Sequence, residues 1–353
     1  MERESAMFRS DAAERAIVDI AAGRPIVLAD EIGGEWSGDI LFAAENSTAK
    51  TMAFTVRHTS GLVCAATPGE LLDRLKIPLM SSAGGQSAFT VSFDAASGVS
   101  TGISATDRAR TVRVLADPSA TAEDFHRPGH VMALRSCAGG VLGKHGRAEA
   151  AVDLVRLAGL ASVGVLAELV NDDGTVKRDA QLREFARMQN LSVVSIASLV
   201  EFRRKREVLI DRVAATRLPT RHGLFTVFGY RRAHSGDEIV ALVRGSVAGP
   251  RSVVTRIHRE CPVGDVFRTI GCRCAANLDV DLARLAAADA GVLIYLRRSG
   301  GSGIGGTCPT VDGSVCDEVG QILRDLGVSA VEVDGSNAAV TVHLRAAGFE
   351  VLH

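Results

Sequence analysis

Apolar positions recur along the chain with two periods, and the switches between them mark out the elements. Asp11 with Glu14 three residues on, then Ile17 and Ile20, then Gly23 and Pro25, predicts a capped helix with a clean stop. Ile26–Leu28 is a short buried strand candidate. Helix and strand patterns then alternate, with Gly-rich turns, to about residue 200. Val163–Leu169 predicts a strand ending in the turn Asn171-Asp172-Asp173-Gly174. Leu182–Gln189 reads as helix and Leu191–Ile196 as strand. Glu201–Arg217 is dense in charge and precedes Pro219, so it predicts a solvated helix that doubles as the domain junction. Beyond it, Gly223–Tyr230 and Ile239–Val247 read as strands, and the latter could pair with Ser252–Ile257. Leu278–Ala290 predicts an Ala-rich helix and Val292–Leu296 a buried strand. Glu318–Leu326 predicts a helix ended by Gly327, and Val328–Val333 a final strand. Both halves are mixed α/β or α+β.

The 353 residues fit about two domains. Forty Lys+Arg against forty-one Asp+Glu leave a net charge of −1, which points away from nucleic acid and from an acidic membrane surface. No apolar run reaches the ~18 residues of a membrane span. The opening MERESAMFRSDAAER lacks the apolar core of a secretory signal, and seven cysteines is an odd count. Reduced thiols or metal ligands in a cytoplasmic protein are the expectation.

Three polar clusters in the first half are too dense for plain loops. Thr101-Gly102-Ile103-Ser104-Ala105-Thr106-Asp107-Arg108, followed by Thr111, offers hydroxyls, backbone N–H groups and a cation that suit a phosphate. A capped helix start with a solvated arginine would give the same string. Arg127-Pro128-Gly129-His130 predicts a rigid turn presenting a histidine for proton transfer, and a structural histidine would read alike. Glu168 ends an apolar strand, where a carboxylic acid could act.

Together these strings resemble 3,4-dihydroxy-2-butanone 4-phosphate synthase over roughly residues 12–205. The matching segments are RHTSGLVC (57–64), FTV (89–91), GVSTGISATDRARTV (98–112), HRPGHVMALRSCAGGVL (126–142), EAAVDLVRLAG (149–159) and GVLAELVNDDG (164–174). The resemblance implies a dimeric α+β domain that converts ribulose 5-phosphate to the four-carbon phosphate plus formate with Mg²⁺. It also implies active-site roles for Cys64, His130 and Glu168, and phosphate contacts from Thr101, Asp107, Arg108 and Thr111.

The departures carry information of their own. The family's acidic loop, Asp-Arg-Glu-Asn-Glu-Gly-Asp, here reads Gly33-Gly34-Glu35-Trp36-Ser37-Gly38-Asp39. Glu35 matches the metal-binding Glu, but the second Glu is Ser37. The histidine of the Gly-His-Thr-Glu-Ala string, the second metal ligand, is Arg147 in Gly146-Arg147-Ala148-Glu149-Ala150. A guanidinium has no lone pair for Mg²⁺ and repels it. His145 lies close by, but on a strand it would face away. A Glu35–Arg147 ion pair in place of the metal is the expectation. The segment between Met80 and Phe89 is also short.

In the second half Cys261, Cys272 and Cys274 lie in RIHRECPVGDVFRTIGCRC, a spacing that suits Zn²⁺ with one open position. Three unrelated buried cysteines would be the bland alternative. With LPTRHGLF (218–225) and GVLIYLRRSG (291–300), this string resembles GTP cyclohydrolase II over roughly 217–353. The resemblance implies a zinc hydrolase that opens the imidazole ring of GTP and releases pyrophosphate, with Arg256 at a nucleotide-contacting position. The family's Arg-Gln-Glu-Gly-Arg-Gly-Ile-Gly-Leu is here Arg297-Arg298-Ser299-Gly300-Gly301-Ser302-Gly303-Ile304-Gly305-Gly306. About thirty further residues, ending in an Asp-x-Arg string with the general base, have no counterpart as the chain runs through Cys308 and Cys316 into its next helix. The Thr-Asn-Asn-Pro-Lys phosphate string is Val333-Asp334-Gly335-Ser336-Asn337. The expectation is a synthase-like domain over 1–205 and a cyclohydrolase-like domain with a truncated active-site segment over 206–353, the junction falling at 203–218. A homodimer, a small phosphorylated ligand, and reduced or absent canonical activity are expected. A non-catalytic paralogue and an enzyme on a related sugar phosphate are the rival readings.

Overall fold

The computed structural model describes residues 10–80, 88–297, 310–311, 313–334 and 338–352. Two compact units, Met1–Arg203 and Arg204–His353, divide the chain.

The first unit is built on a seven-stranded sheet in the order β4-β5-β3-β6-β2-β1-β7. Its strands are β1 (Ile26–Ile32), β2 (Glu35–Ala43), β3 (Cys64–Pro68), β4 (Phe93–Ala95), β5 (Phe125–Ser136), β6 (Gly164–Glu168) and β7 (Val193–Ser195). Strand side chains alternate between faces, and both faces are covered here. Ile40, Phe42, Ala65 and Val165 join a core with Met52, Leu72 and Val112. Leu41, Ala43, Ala66 and Leu166 join another with Ile20, Ala151, Leu154 and Leu199. The second core is sealed by the helix Arg147–Leu157, almost wholly buried from Ala148 to Val155.

Register sets up the site. β2 pairs antiparallel with β6 so that Asp39 lies opposite Glu168, and β3 pairs with β6 so that Cys64 lies opposite Leu166. Residues two apart share a face, so Ser37, Asp39, Cys64 and Glu168 all project toward the Arg147–Leu157 helix.

The second unit carries another seven-stranded sheet, β14-β13-β11-β12-β10-β9-β8. Strands β8 (Ile210–Thr220), β9 (Gly223–Arg232) and β10 (Glu238–Arg244) form an antiparallel meander that continues to β12 (Gly291–Leu296). Strands β11 (Gly249–Arg259), β13 (Val328–Val333) and β14 (Glu350–Leu352) extend it in parallel from β12. The helix Cys274–Ala287 packs Leu285 into a core with Phe225, Leu242 and Leu293.

Four expectations are corrected. Glu201–Arg217 is not one helix: only its first six residues belong to the helix Ile196–Arg206, and Ile210–Thr220 is the sheet-edge strand β8, exposed on both faces and so without an alternating signal. Ile239–Val247 does not pair with Ser252–Ile257, because β12 inserts between β10 and β11. Val328–Val333 is not the last strand, since the helix Ala338–Ala346 and β14 follow. His145 is not on a strand with Arg147; it precedes the helix that Arg147 begins, and its Nε2 lies 3.3 Å from Asp30. The segment 81–87, Arg298–Gly306, Cys308 and Gly335–Asn337 lie outside the described residues.

Candidate functional site

In the first unit the polar residues converge at one end of the sheet. The Arg147 guanidinium lies 3.0 Å from Asp39 and 3.1 Å from Glu168, and its Nη2 donates to Ser37 Oγ. The Asp39 ion pair lies off the hydrogen-bond direction, so Asp39 Oδ2 is close to the charge without accepting a directed bond. Burial raises the Asp39 carboxyl to about 6, against the opposing pull of Arg147. Cys64 is 4% exposed, and burial, then the Asp39 charge, pushes its thiol up to about 12. A thiol so held is a poor nucleophile at neutral pH.

The expected Glu35–Arg147 pair is not formed. Glu35 is more than half exposed and pairs with Arg178 at 2.9 Å. Glu35 stands at the exposed first position of β2, just after the Gly33-Gly34 turn, where Arg178 engages it, and Arg147 takes the two carboxylates that the β2–β6 register brings together. These residues do not fit a divalent cation. Of the two positions expected to hold Mg²⁺, 147 carries a guanidinium and Glu35 is engaged by Arg178, and Ser37 stands where a second carboxylate was expected. A divalent ion about 4 Å from that guanidinium meets a repulsion of roughly 8 kcal/mol at an effective dielectric of about 20.

A second cluster lies alongside. Ser60 N–H donates to the Glu168 carbonyl, and the next residue's carbonyl, Gly61 O, accepts from Arg108 Nη1 at 3.1 Å. Arg108 is buried. Asp107 accepts from Ser100 N–H, Ser100 Oγ and Gly102 N–H at 3.2, 2.7 and 3.1 Å, bonds that hold its carboxyl below the usual range. Asp107 thus shapes the loop that exposes Thr101, while Thr111 is buried and its hydroxyl accepts from Ala95 N–H. The helix behind this loop starts at Ala105 with Ser104 as its cap.

His130 projects from a bulge of β5 rather than from a free turn: between the Asp94↔His126 and Phe93↔Val131 pairs, β5 carries four extra residues. Its Nδ1 is 2.7 Å from Asp94, whose other oxygen accepts from His130 N–H. An ionised Asp94 can only accept, so Nδ1 carries a proton toward it, and in the neutral ring the lone pair is then on Nε2. Gly102 packs against this pair at φ +91°, and a Cβ there would lie 2.0 Å from Asp94 and 2.6 Å from His130. Sequence reasoning had no role for Asp94 or Asp39. Asp94 follows the apolar Phe93 in a short strand and gives no local signal. Asp39 was visible as the last acid of the altered loop.

In the second unit the Cys261, Cys272 and Cys274 sulfurs lie within 4.8 Å of one another. Gly264 makes this approach feasible, because a Cβ there would be 2.6 Å from Cys272 Sγ and 3.3 Å from Cys261 Sγ. Asp265 ties the cluster to the sheet: it accepts from Cys261 N–H and from Tyr295 OH, both at 2.9 Å, and from His258 Nε2 at 3.0 Å. His258 stacks on Tyr295 with ring centroids 5.4 Å apart. Three converging soft donors fit zinc, which would supply water activation when bound. Beside Cys274 opens a cavity of about 460 Å³ bordered by Arg256, Arg259, Arg273, Arg284, Asp281 and Asp334. Arg256 is fixed by donation to the carbonyls of Thr255 and Glu332, and its Nε lies 3.5 Å from Asp281.

The fold and these two sites define a two-domain protein with a cluster of buried charged residues at the sheet end of one unit and three convergent cysteines that could hold a metal ion in the other. Comparison with known proteins bears on the class. Residues 14–202 match the 3,4-dihydroxy-2-butanone 4-phosphate synthase family and 211–308 the GTP cyclohydrolase II family. The riboflavin biosynthesis protein RibBA of Rhodococcus jostii is 43% identical over 98% of this chain and 90% of its own length. Its Mycobacterium tuberculosis counterpart is 42% identical over 98% and 89%. The crystal structure of RibBX, a two domain 3,4-dihydroxy-2-butanone 4-phosphate synthase from A. baumannii, superposes with a TM-score of 0.79 at 29% identity, covering 97% of this chain and 99% of that one. A 3,4-dihydroxy-2-butanone 4-phosphate synthase solved with two magnesium ions covers 55% of this chain and 96% of its own at 37% identity, TM-score 0.52. The chain belongs to the family of bifunctional riboflavin biosynthesis proteins, a 3,4-dihydroxy-2-butanone 4-phosphate synthase domain followed by a GTP cyclohydrolase II domain. Among the described residues no helix is long and apolar enough to cross a membrane.

Proposed function

We propose that this member of the riboflavin biosynthesis family has lost, or keeps only in reduced form, both reactions of its relatives, and persists as a zinc-bearing homodimer that binds a small phosphorylated ligand. The reactions in question are the conversion of ribulose 5-phosphate to 3,4-dihydroxy-2-butanone 4-phosphate plus formate, and of GTP to 2,5-diamino-6-ribosylamino-pyrimidinone 5′-phosphate plus formate and pyrophosphate. The observation that carries the reading is the Arg147 guanidinium seated on Asp39 and Glu168, where a family member needs a metal ligand. In the second unit, the missing Asp-x-Arg segment and the altered run after Arg298 support the loss of GTP chemistry. The A. baumannii relative, named for the synthase reaction alone, is in keeping with a two-domain chain that does not run the second.

A second reading, an enzyme acting on a related sugar phosphate, is favoured by the intact His130–Asp94 pair and the Asp107-shaped loop. In it His130 Nε2 would move a proton and the loop would seat the phosphate.

Purified protein incubated separately with ribulose 5-phosphate and with GTP, each with Mg²⁺ and zinc, tests the proposal through formate release. Losing single transition-state contacts costs about 10²–10⁴-fold, so formate from either substrate should fall at least that far below an intact relative. Formate at the relative's rate would overturn the proposal for the domain concerned.

A further inference from the structure

We infer that Arg147 is a built-in replacement for the divalent cation, so that the N-terminal site carries its positive charge on the chain and excludes Mg²⁺ and Mn²⁺. The inference rests on the reading above and deepens it: the site is not a metal site waiting to be filled. Arg147 is the first residue of its helix, so its backbone is fixed over the sheet end, and the positive end of the helix dipole adds to the repulsion of a cation. Its guanidinium reaches both carboxylates that the β2–β6 register places opposite one another. Ser37 has a short side chain that accepts from Nη2, where a glutamate would compete for the same space. The other nearby donors are committed, Glu35 to Arg178 and His145 to Asp30. Among the described residues, the one convergent group of three His, Cys, Asp or Glu donors is the thiol cluster of the other unit. The changes at 37 and 147 therefore act as a pair, a shorter acceptor making room for a longer cation.

The test is an electron paramagnetic resonance titration of Mn²⁺ into zinc-loaded full-length protein, in which the thiols are already filled. Wild type should leave the free Mn²⁺ signal undiminished, while Arg147→His with Ser37→Glu, which returns an imidazole and a carboxylate beside Asp39 and Glu168, should bind Mn²⁺ at least about tenfold more tightly. Should the double variant not fold, Arg147→His alone carries the same comparison. One tightly held Mn²⁺ in wild type, or no gain in a folded variant, overturns the inference. Its failure is separable from that of the functional reading. Formate released without any divalent cation would overturn lost activity and leave Arg147's role intact, whereas Mn²⁺ bound by an inactive wild type would do the reverse.

Discussion

Exchanging an imidazole for a guanidinium changes what neighbouring carboxylates are for. Asp39 and Glu168 lie opposite one another on adjacent strands, and Arg147 pairs with both. Removing it leaves a buried carboxylate unpaired, which costs about 3–5 kcal/mol in fully buried pairs. Glu168 is partly exposed, so Arg147→Met should destabilise the first unit by a smaller amount, about 2 kcal/mol, as read from urea midpoints. The Asp39 carboxyl adds a pH signature. Its pKa is raised to about 6, so between the unfolded value near 4 and about 6 the folded state holds the extra proton, and stability falls as pH rises through that window. Relative to Asp39→Asn, wild type should therefore lose up to about 3 kcal/mol between pH 4 and 6 and show a constant difference above about pH 7. A difference that does not change with pH would show that Asp39 is not held protonated by burial.

At the level of elements, the tight turn from Cys261 through Asp265 brings thiols from two segments together, and Gly264 is the residue it cannot enlarge. Gly264→Ala places a methyl 2.6 Å from Cys272 Sγ, so the sulfurs should spread and zinc retention against a chelator should fall by about tenfold or more. Unchanged retention would mean that the turn yields easily. The same turn explains what could be read in advance. The cysteine spacing is local and announces itself in the sequence, whereas Asp265's ties to His258 and Tyr295 cross from β11 to β12 and depend on strand order. Arg147 was visible as a substitution, but its partners were not. Choosing Asp39 and Glu168 over Glu35 requires the β2–β6 register, a pairing across some 130 residues that no local pattern encodes. Most buried strands, such as Val163–Leu169 and Val292–Leu296, were legible because apolar runs bounded by turns have few other uses. Strand β8 was not, because its exposed, charged residues resemble a solvated helix.

Across the whole molecule, each unit keeps its own core, and the two sites differ in what they retain. The thiol centre keeps its donor set, so protein prepared with zinc should contain about one zinc per chain by elemental analysis. Cys272→Ser should abolish it and leave the thermal transition of the first unit in place. In the N-terminal site a side chain, Arg147, sits on the carboxylates where we propose that it replaces a metal. The most direct test is a crystal of the full chain soaked in Mn²⁺ and ribulose 5-phosphate, with anomalous scattering used to locate the metal. A guanidinium in the metal's place predicts no anomalous peak among Ser37, Asp39, Glu168 and residue 147, with Arg147 density joined to both carboxylates. A strong peak within ligand distance of Glu35 or Glu168, with Arg147 swung aside, would contradict it.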